Sequence, residues 1–372
     1  MVTDLSKVLL ERVKQAVAEQ TPLQIIGAGS KHFYGRNNES GSGDQSNQTR
    51  FEIAGHAGII NYEPTELVIT ACAGTTLVEL ENTLAEHGQM LPFEPPHFSP
   101  KATLGGTLAC GFSGPRRPYV GAARDYVLGM RIINGKGENL RFGGEVMKNV
   151  AGYDVSRLMV GSLGTLGVIL DASLKVLPKP ATEITLRQSM DASAAITLMN
   201  QLAAQPLPLS AACYIDDSVY LRLSGTLNGV ASGRSKIGGD ALEGAASREF
   251  WTALREHQVP FFQANNDQKT DSSAYPLWRL SLPPTTPPLT LAGRCLLDWG
   301  GAQRWLYSDI AADTLRQTVT QLGGHATLFR RGNSHAEVFQ TLPPALAALH
   351  KNLKQAFDPS GILNPYRMYP DW

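Results

Sequence analysis

Between residues 102 and 169 the chain reads ATLGGTLACGFSGPRRPYVGAARDYVLGMRIINGKGENLRFGGEVMKNVAGYDVSRLMVGSLGTLGVI, with glycine closing one short apolar run after another. These 68 residues hold 14 of the 36 glycines, about twice an even share, and their placement at the ends of apolar runs separates the stretch from a low-complexity tract. Glycine belongs where a backbone takes positive φ or closely approaches another backbone or a ligand. So many in an ordered stretch predict a large, flat ligand cradled by main chain rather than by side chains.

The 372 residues are enough for a large core and about two domains. Lys+Arg and Asp+Glu number 33 each, so the formal net charge is zero and no basic excess exists to neutralise nucleic-acid phosphates. The first residues, MVTDLSKVLLERVKQAVAEQ, carry early acids and no apolar core of a signal peptide. Leu5, Val8, Leu9, Val13, Ala16 and Val17 recur at helical spacing, which predicts an amphipathic surface helix. Apolar runs fall far short of the ~20 residues that span a bilayer. The expectation is a cytoplasmic chain whose membrane association is at most peripheral. Cys72, Cys110, Cys213 and Cys295 are too scattered for a CxxC motif or a cluster, so buried free thiols and no metal site are expected.

Leu23-Gln24-Ile25-Ile26 reads as a strand opening into Gly27-Ala28-Gly29-Ser30-Lys31, followed by a polar loop from Arg36 to about Thr49. Leu67–Thr70 reads as a second strand. Thr76-x-x-Glu79 is a capping box whose helix stops near Gly88. A strand is expected over 126–133, a turn at Asn134-Gly135-Lys136-Gly137 and a short helix over 153–160, where Asp154 can pair with Arg157. Leu174–Leu177 closes this half, and Pro178-Lys179-Pro180 marks a boundary. Beyond it helical and strand patterns alternate, with loops at 229–244, 265–273 and 283–288, and a helix over 345–357 runs into Asp358-Pro359-Ser360-Gly361-Ile362-Leu363-Asn364-Pro365.

Consecutive amides in a tight glycine turn form a nest for a pyrophosphate. Gly27–Lys31 has that character but is not a dinucleotide fingerprint, because His32 stands at the third glycine and Ser46-Asn47-Gln48 where an acid should lie. It is not a Walker loop either. With Ala73-Gly74-Thr75, Ala102-Thr103-Leu104-Gly105-Gly106-Thr107, Gly121-Ala122-Ala123-Arg124-Asp125, the run Val160–Ile169 and the closing Phe357–Pro365 motif, the chain resembles the vanillyl-alcohol-oxidase/p-cresol-methylhydroxylase flavoprotein family. The likeness covers roughly 20–180 and 350–368. Phe112-Ser113-Gly114-Pro115-Arg116-Arg117-Pro118 and Lys148-Asn149-Val150-Ala151-Gly152-Tyr153-Asp154 narrow it to short FAD-binding subunits of bacterial glycolate oxidases.

That resemblance implies an α+β fold. A PCMH-type FAD-binding domain of two α/β subdomains would occupy 1–178, completed by 346–372, with an α+β cap over 181–345. It implies FAD held by Gly27, Ala28, Gly29, Ser30 and Lys31 and by Thr103, Leu104, Gly105 and Gly106 at the phosphates. Gly74, Ser113, Gly114, Gly121, Val168 and Ile169 would line the rest. It also implies a small 2-hydroxy acid as substrate, and as partners a larger flavin subunit and an iron–sulfur subunit that can attach the assembly to the inner membrane. An assembly subunit with catalysis in a partner, and a UDP-sugar enolpyruvyl reductase of the same fold, are the alternatives. Larger 2-hydroxy-acid dehydrogenases of the group carry His-Gly-Asp-Gly-Asn. Here Gly323-Gly324-His325-Ala326-Thr327-Leu328-Phe329-Arg330-Arg331-Gly332 keeps one His and two Arg and loses the Asp. His325, Arg330 and Arg331 are therefore the candidate catalytic residues, an Arg pairing with the substrate carboxylate. FAD is expected to be noncovalent, with His32 the candidate attachment point otherwise.

Overall fold

The computed structural model describes residues 2–36, 48–144, 154–263 and 275–372. Most of the polar loop after Arg36, the motif residues 148–153 and the loop 265–273 lie outside the described residues. The chain divides into two compact units: Met1–Ser113 with Ala122–Pro178 and Thr341–Trp372, and Gly114–Gly121 with Lys179–Gln340.

The first unit holds two sheets that bear on the site. Leu23–Ile26 and Thr49–Glu52 form a parallel pair. A five-stranded antiparallel sheet runs in the order Ile59–Glu63, Val68–Cys72, Val168–Lys175, Val127–Ile133, Asn139–Gly143. Its central strands read as near-continuous apolar runs because both faces are covered: Val68–Cys72 is buried at every position. Val168–Lys175 begins well before the expected Leu174–Leu177, and Val127–Ile133 falls within one residue of the expected 126–133. The hairpin between Val127–Ile133 and Asn139–Gly143 turns on Asn134, whose Oδ1 accepts from the amides of Lys136 and Glu138 (3.0 Å each).

Helix ends follow local chemistry. Leu77–Glu86 is capped by Thr76, whose Oγ1 accepts from the Glu79 amide at 3.1 Å, and Gly88 lies just beyond its end at φ 64°. Val155–Met159 starts at Asp154, which caps the Arg157 amide and pairs with the Arg157 side chain at 2.9 Å. The first helix, Ser6–Glu19, buries Leu9, Val13 and Ala16, whereas Val8 is 58% exposed.

The second unit is an eight-stranded sheet with antiparallel pairing throughout, in the order Asp240–Glu243, Thr182–Ser189, Ser218–Gly225, Leu209–Ile215, Arg294–Asp298, Gln303–Tyr307, Leu277–Ser281, His325–Arg330. Helices Ala192–Ala203 and Leu227–Ile237 close one core with Leu186, Leu221 and Leu223, and Ala312–Gln321 closes another with Trp278, Leu280 and Leu328. Residues 114–121 group here. Within this unit the Arg117 guanidinium lies 4.4 Å over Trp299, whose Nε1 donates to the Gly114 carbonyl at 3.0 Å, and Arg116 pairs with Glu183 at 2.8 Å. Among the described residues no helix is long and apolar enough to cross a membrane.

Helix Pro344–Phe357 returns to the first unit, and its one buried side chain is Lys354. Lys354 Nζ donates to Asp358 at 2.6 Å and to the carbonyls of Thr165 (2.9 Å) and Leu363 (2.8 Å). Asp358 in turn accepts from the amides of Ile362 and Leu363. Burial lowers the lysine pKa, and Asp358 opposes that shift. Asp358→Ala would leave an uncompensated buried ammonium, so it is expected to lower stability by about 3–5 kcal/mol, read from the denaturant midpoint. A midpoint unchanged from wild type would mean the pair does not hold this segment.

His56, fully buried, ties down the start of the first helix by accepting the Leu5 amide on Nδ1 at 3.0 Å. Burial lowers its pKa below 6.5, the nearby Asp4 carboxylate opposing. A folded pKa below the unfolded one means that stability is complete above pH 6.5 and declines as pH falls from there through the folded pKa. His56→Asn, whose amide oxygen accepts at any pH, should flatten that part of the melting-temperature profile between pH 7.5 and 5. An unchanged slope in this variant would show that the titration lies elsewhere.

Candidate functional site

The Leu23–Ile26 strand delivers residues 27–31 to the mouth of a cleft of about 720 Å³. The strand is held from behind: the Ile25 amide donates to Asn364 Oδ1 (2.7 Å), and Asn364 Nδ2 donates to the Leu163 carbonyl (2.7 Å). After Ile26 the chain turns tightly, Gly29 taking φ 74° and its carbonyl accepting the His32 amide at 3.0 Å. Among the described residues the amides of Gly27, Ala28, Gly29 and Ser30 have no hydrogen-bond partner. A Cβ on Gly29 would meet nothing within 4 Å, and one on Gly27 would collide with Thr103 Oγ1. Four unspent donors in one turn, with glycine where the wall must stay thin, form an anion nest.

Thr103, the N-cap of the helix Leu104–Cys110, packs against this turn and lines the cleft with Gly106, Ala109 and Cys110 of that helix. Here the geometry narrows the sequence-based expectation. The Leu104 amide donates to the Thr75 carbonyl and the Gly105 amide to the Ala73 carbonyl, both at 2.8 Å. The Gly106 amide is 3.3 Å from Thr103 Oγ1. These amides serve the helix start, and the Leu104 side chain is fully buried. Gly105 is small because a Cβ would lie 2.7 Å from Ala73 Cβ.

A second cavity of about 410 Å³ shares Ile25, Gly27, Thr103, Gly106, Ala109, Leu163 and Asn364 with the first and continues past Ile53, Ala73, Gly105, Gly164, Gly167 and Ile169. One end is thus polar and amide-rich, the other apolar and glycine-lined. Lys31 and Arg367 line the polar end, and no carboxylate is among the described residues lining either cavity. Lys31 is buried, its Nζ 3.3 Å from the His97 carbonyl and 3.4 Å from Thr107 Oγ1. The positive charge of Lys31 and Arg367 beside a nest favours an anionic ligand. A dinucleotide with a pyrophosphate and flat rings fits this donor set.

Other expected residues sit nearby or elsewhere. Val168 is buried in its strand beside the lining Ile169. Gly74 does not line the cleft. A Cβ there would lie 2.5–2.6 Å from the carbonyls of Ile53, Ala54 and His56, so its role is close backbone packing. Ser113 Oγ accepts the Ala123 amide at 3.0 Å, while Gly114 and Gly121 belong to the second unit. Of the cysteines, Cys72 and Cys213 are buried as expected, but Cys110 is half-buried and Cys295 exposed. Cys110 stands on the cleft wall, and Cys295 lies in a strand.

His325 and Arg330 open and close one strand, which keeps them about 16 Å apart along its axis. His325 is exposed. Arg331 Nη1 donates to the Ala336 carbonyl at 3.1 Å. Arg330 instead neighbours His257 and Tyr307. Burial pushes His257 well below 6.5, with Arg330 and Arg279 acting in the same direction. Its ring stacks on Phe262 at 3.9 Å and meets Trp305 edge-on at 4.6 Å. The sequence reading missed Gln24, Cys110, Leu163, Asn364 and Arg367 as lining residues. For Asn364 and Arg367 a signal existed in the closing motif and its flank.

Fold and cleft together define an FAD-linked oxidase. Residues 6–143 match the FAD binding domain family and residues 332–368 the C-terminal domain of FAD linked oxidases. Alkyldihydroxyacetonephosphate synthase shares the fold at TM-score 0.64 and 16% identity, covering 97% of this chain and 75% of that one. The glycolate oxidase subunit GlcD of Bacillus subtilis (strain 168) is 35% identical over 153 residues, 40% of this chain and 32% of that protein. The glycolate oxidase subunit GlcE of Escherichia coli (strain K12) is 47% identical over 368 residues, 99% of this chain and 98% of that protein. The chain belongs to the GlcE family of glycolate oxidase subunits.

Gly29→Val would put a branched Cβ on a residue at positive φ and into the nest. The variant is expected to purify without FAD while keeping its circular dichroism. Wild-type flavin content in it would remove this turn from the cofactor site.

Proposed function

We propose that this chain is the FAD-binding subunit of a glycolate oxidase, taking part in the oxidation of glycolate to glyoxylate and passing the electrons to partner subunits. The observation that carries this is the coincidence of a full-length likeness to GlcE with a cleft whose one end is a nest of four unspent amides flanked by Lys31 and Arg367. Bound FAD supplies the two-electron acceptor. The protein's own part is placement and electrostatics. Gly27–Ser30 would donate to the pyrophosphate and Lys31 would balance its charge. Thr103 and Gly106 would set the opposite wall, and Ile169 with Gly164 and Gly167 would leave a thin apolar slot for a ring. Ser113 keeps its proposed place toward the flavin. No covalent link is needed for this set, so acid precipitation should leave the flavin in the supernatant.

For the substrate, Arg330 is the candidate of choice over Arg331 and His325. It stands beside the neutral His257 and the Tyr307 hydroxyl, whereas Arg331 is tied to its own loop and His325 faces solvent. A guanidinium offers a carboxylate a rigid two-donor fork. The proposed partners are a larger flavin subunit and an iron–sulfur subunit, since four cysteines this scattered are not spaced to bind a cluster. The proposed location is the cytoplasm, at the membrane only through those partners.

The visible spectrum of the purified chain, followed by anaerobic glycolate, tests the reading. Flavin bands that bleach support it, and bands that bleach only once the larger flavin subunit is present move the chemistry to that partner. In the reconstituted complex Arg330→Lys should raise the glycolate KM about 10- to 150-fold, the equivalent of about 1.5–3 kcal/mol for a hydrogen bond to a charged group, with FAD content unchanged. Wild-type kinetics would place the carboxylate elsewhere.

A further inference from the structure

Arg367 follows the closing motif and reaches back to the turn next to the nest. Its Nη1 donates to the Arg36 carbonyl at 2.8 Å, and its Nη2 to the carbonyls of Tyr34 (2.6 Å) and His32 (3.2 Å). The turn reciprocates: the Arg36 amide donates to the Arg367 carbonyl at 3.0 Å, and Arg36 Nη1 to the Tyr366 carbonyl at 3.1 Å. Gly35 sits inside this clasp at φ 88°, so close that a Cβ would lie 3.2 Å from Arg367 Nε, the Arg367 carbonyl and Leu163 Cδ1. The connection to the nest runs through one residue. His32, whose carbonyl Arg367 holds, donates its amide to the Gly29 carbonyl. Among the described residues Arg367 has no carboxylate partner, and it lines the cleft alongside Lys31.

We infer that Arg367 is a positioning residue for the cofactor: by bridging three carbonyls of the turn 32–36 it fixes the shape of the nest and keeps the amides of Gly27–Ser30 aimed into the cleft. The inference rests on reading the cleft as the FAD site. Arginine suits this role better than lysine, because its planar fork presents two separate nitrogens, Nη1 to Arg36 and Nη2 to His32 and Tyr34, where lysine has one. Linkage makes the effect reciprocal. If the 364–367 segment holds FAD in place, bound FAD must hold that segment closed, and the peptide bond after Arg367 becomes a reporter of the cleft's state.

Two measurements on the full chain test this. First, wild-type protein is digested with trypsin with its FAD bound and after the flavin is stripped, and loss of residues 368–372 is followed by mass. At low protease, where opening and closing are fast relative to cleavage, the rate tracks the population of the open form, so cleavage after Arg367 should be roughly tenfold or more slower with FAD. Equal rates overturn the clasp. Second, the FAD dissociation constant is read from flavin fluorescence for Arg367→Gln and Arg367→Lys. Gln should weaken binding roughly 10- to 100-fold, the loss of one to two good charged hydrogen bonds, and Lys should recover only a small part. Wild-type affinity in Arg367→Gln overturns the role. Full recovery in Arg367→Lys replaces positioning by simple charge and overturns it equally. Wild-type protein that binds no FAD at all overturns the cofactor reading itself, a result distinguishable from the other two.

Discussion

The buried pair of Lys354 with Asp358 is the constraint on which the first unit turns. A charge taken out of water is costly unless paired and fully hydrogen-bonded, and here every acceptor in reach is one that must be in the right place. Lys354 needs the Thr165 and Leu363 carbonyls, and Asp358 needs the Ile362 and Leu363 amides. Meeting those demands fixes where the chain emerges after residue 358. Asn364 then lands between the Leu23–Ile26 strand and the Leu163 loop. A parallel pair of four-residue strands has little intrinsic stability. It is held by this return of distant sequence, with Leu23 donating to the Ile362 carbonyl and accepting from Asn364.

From that anchoring the character of the cleft follows. One wall is a turn whose amides are left unspent, and the other is a helix whose first amides are spent. The difference is a matter of bookkeeping on Leu104 and Gly105, which donate to Thr75 and Ala73 and so weld the helix to the segment after Val68–Cys72. The glycines divide accordingly. Beside Gly29, which lines the cleft, the space for a Cβ is open, whereas at Gly74 and Gly105 it is already filled by neighbouring backbone or a methyl.

Much of this was legible in the sequence where the signal is local. The Asn134 turn and the Asp154–Arg157 pair depend on residues within a few positions of one another and appear as read, and of the Thr76-x-x-Glu79 box the Thr76 half is present. Residues of the Gly27–Lys31 and Thr103–Gly106 motifs line the two cavities. What was not legible depends on contacts across hundreds of residues. Nothing near Asn364 announces that it caps Ile25, and nothing near Arg367 announces three carbonyls at 32–36. The strand from Val168 was shortened because Gly-Thr-Leu-Gly-Val-Ile reads as cradle rather than sheet. Val8 fits the helical stripe but falls off its buried face. His325 and Arg330 are neighbours in a motif but lie at opposite ends of a strand, where a rise of about 3.3 Å per residue separates them.

The order of segments along the chain has its own consequence for biosynthesis. The first unit is built from residues on both sides of the second, and its final piece, Thr341–Trp372, is translated only after Lys179–Gln340. At roughly 5–20 residues per second, the amino-terminal sheet waits on the order of ten to thirty seconds with the Ile25 amide and the Leu163 carbonyl lacking their partner. During that interval the cleft has its nest but neither Asn364 nor Arg367 as a wall. Flavin capture is therefore a late event in the life of the nascent chain, and the half-made unit, with the apolar Val68–Cys72 and Val168–Lys175 strands already synthesised, is the form with most to gain from a chaperone.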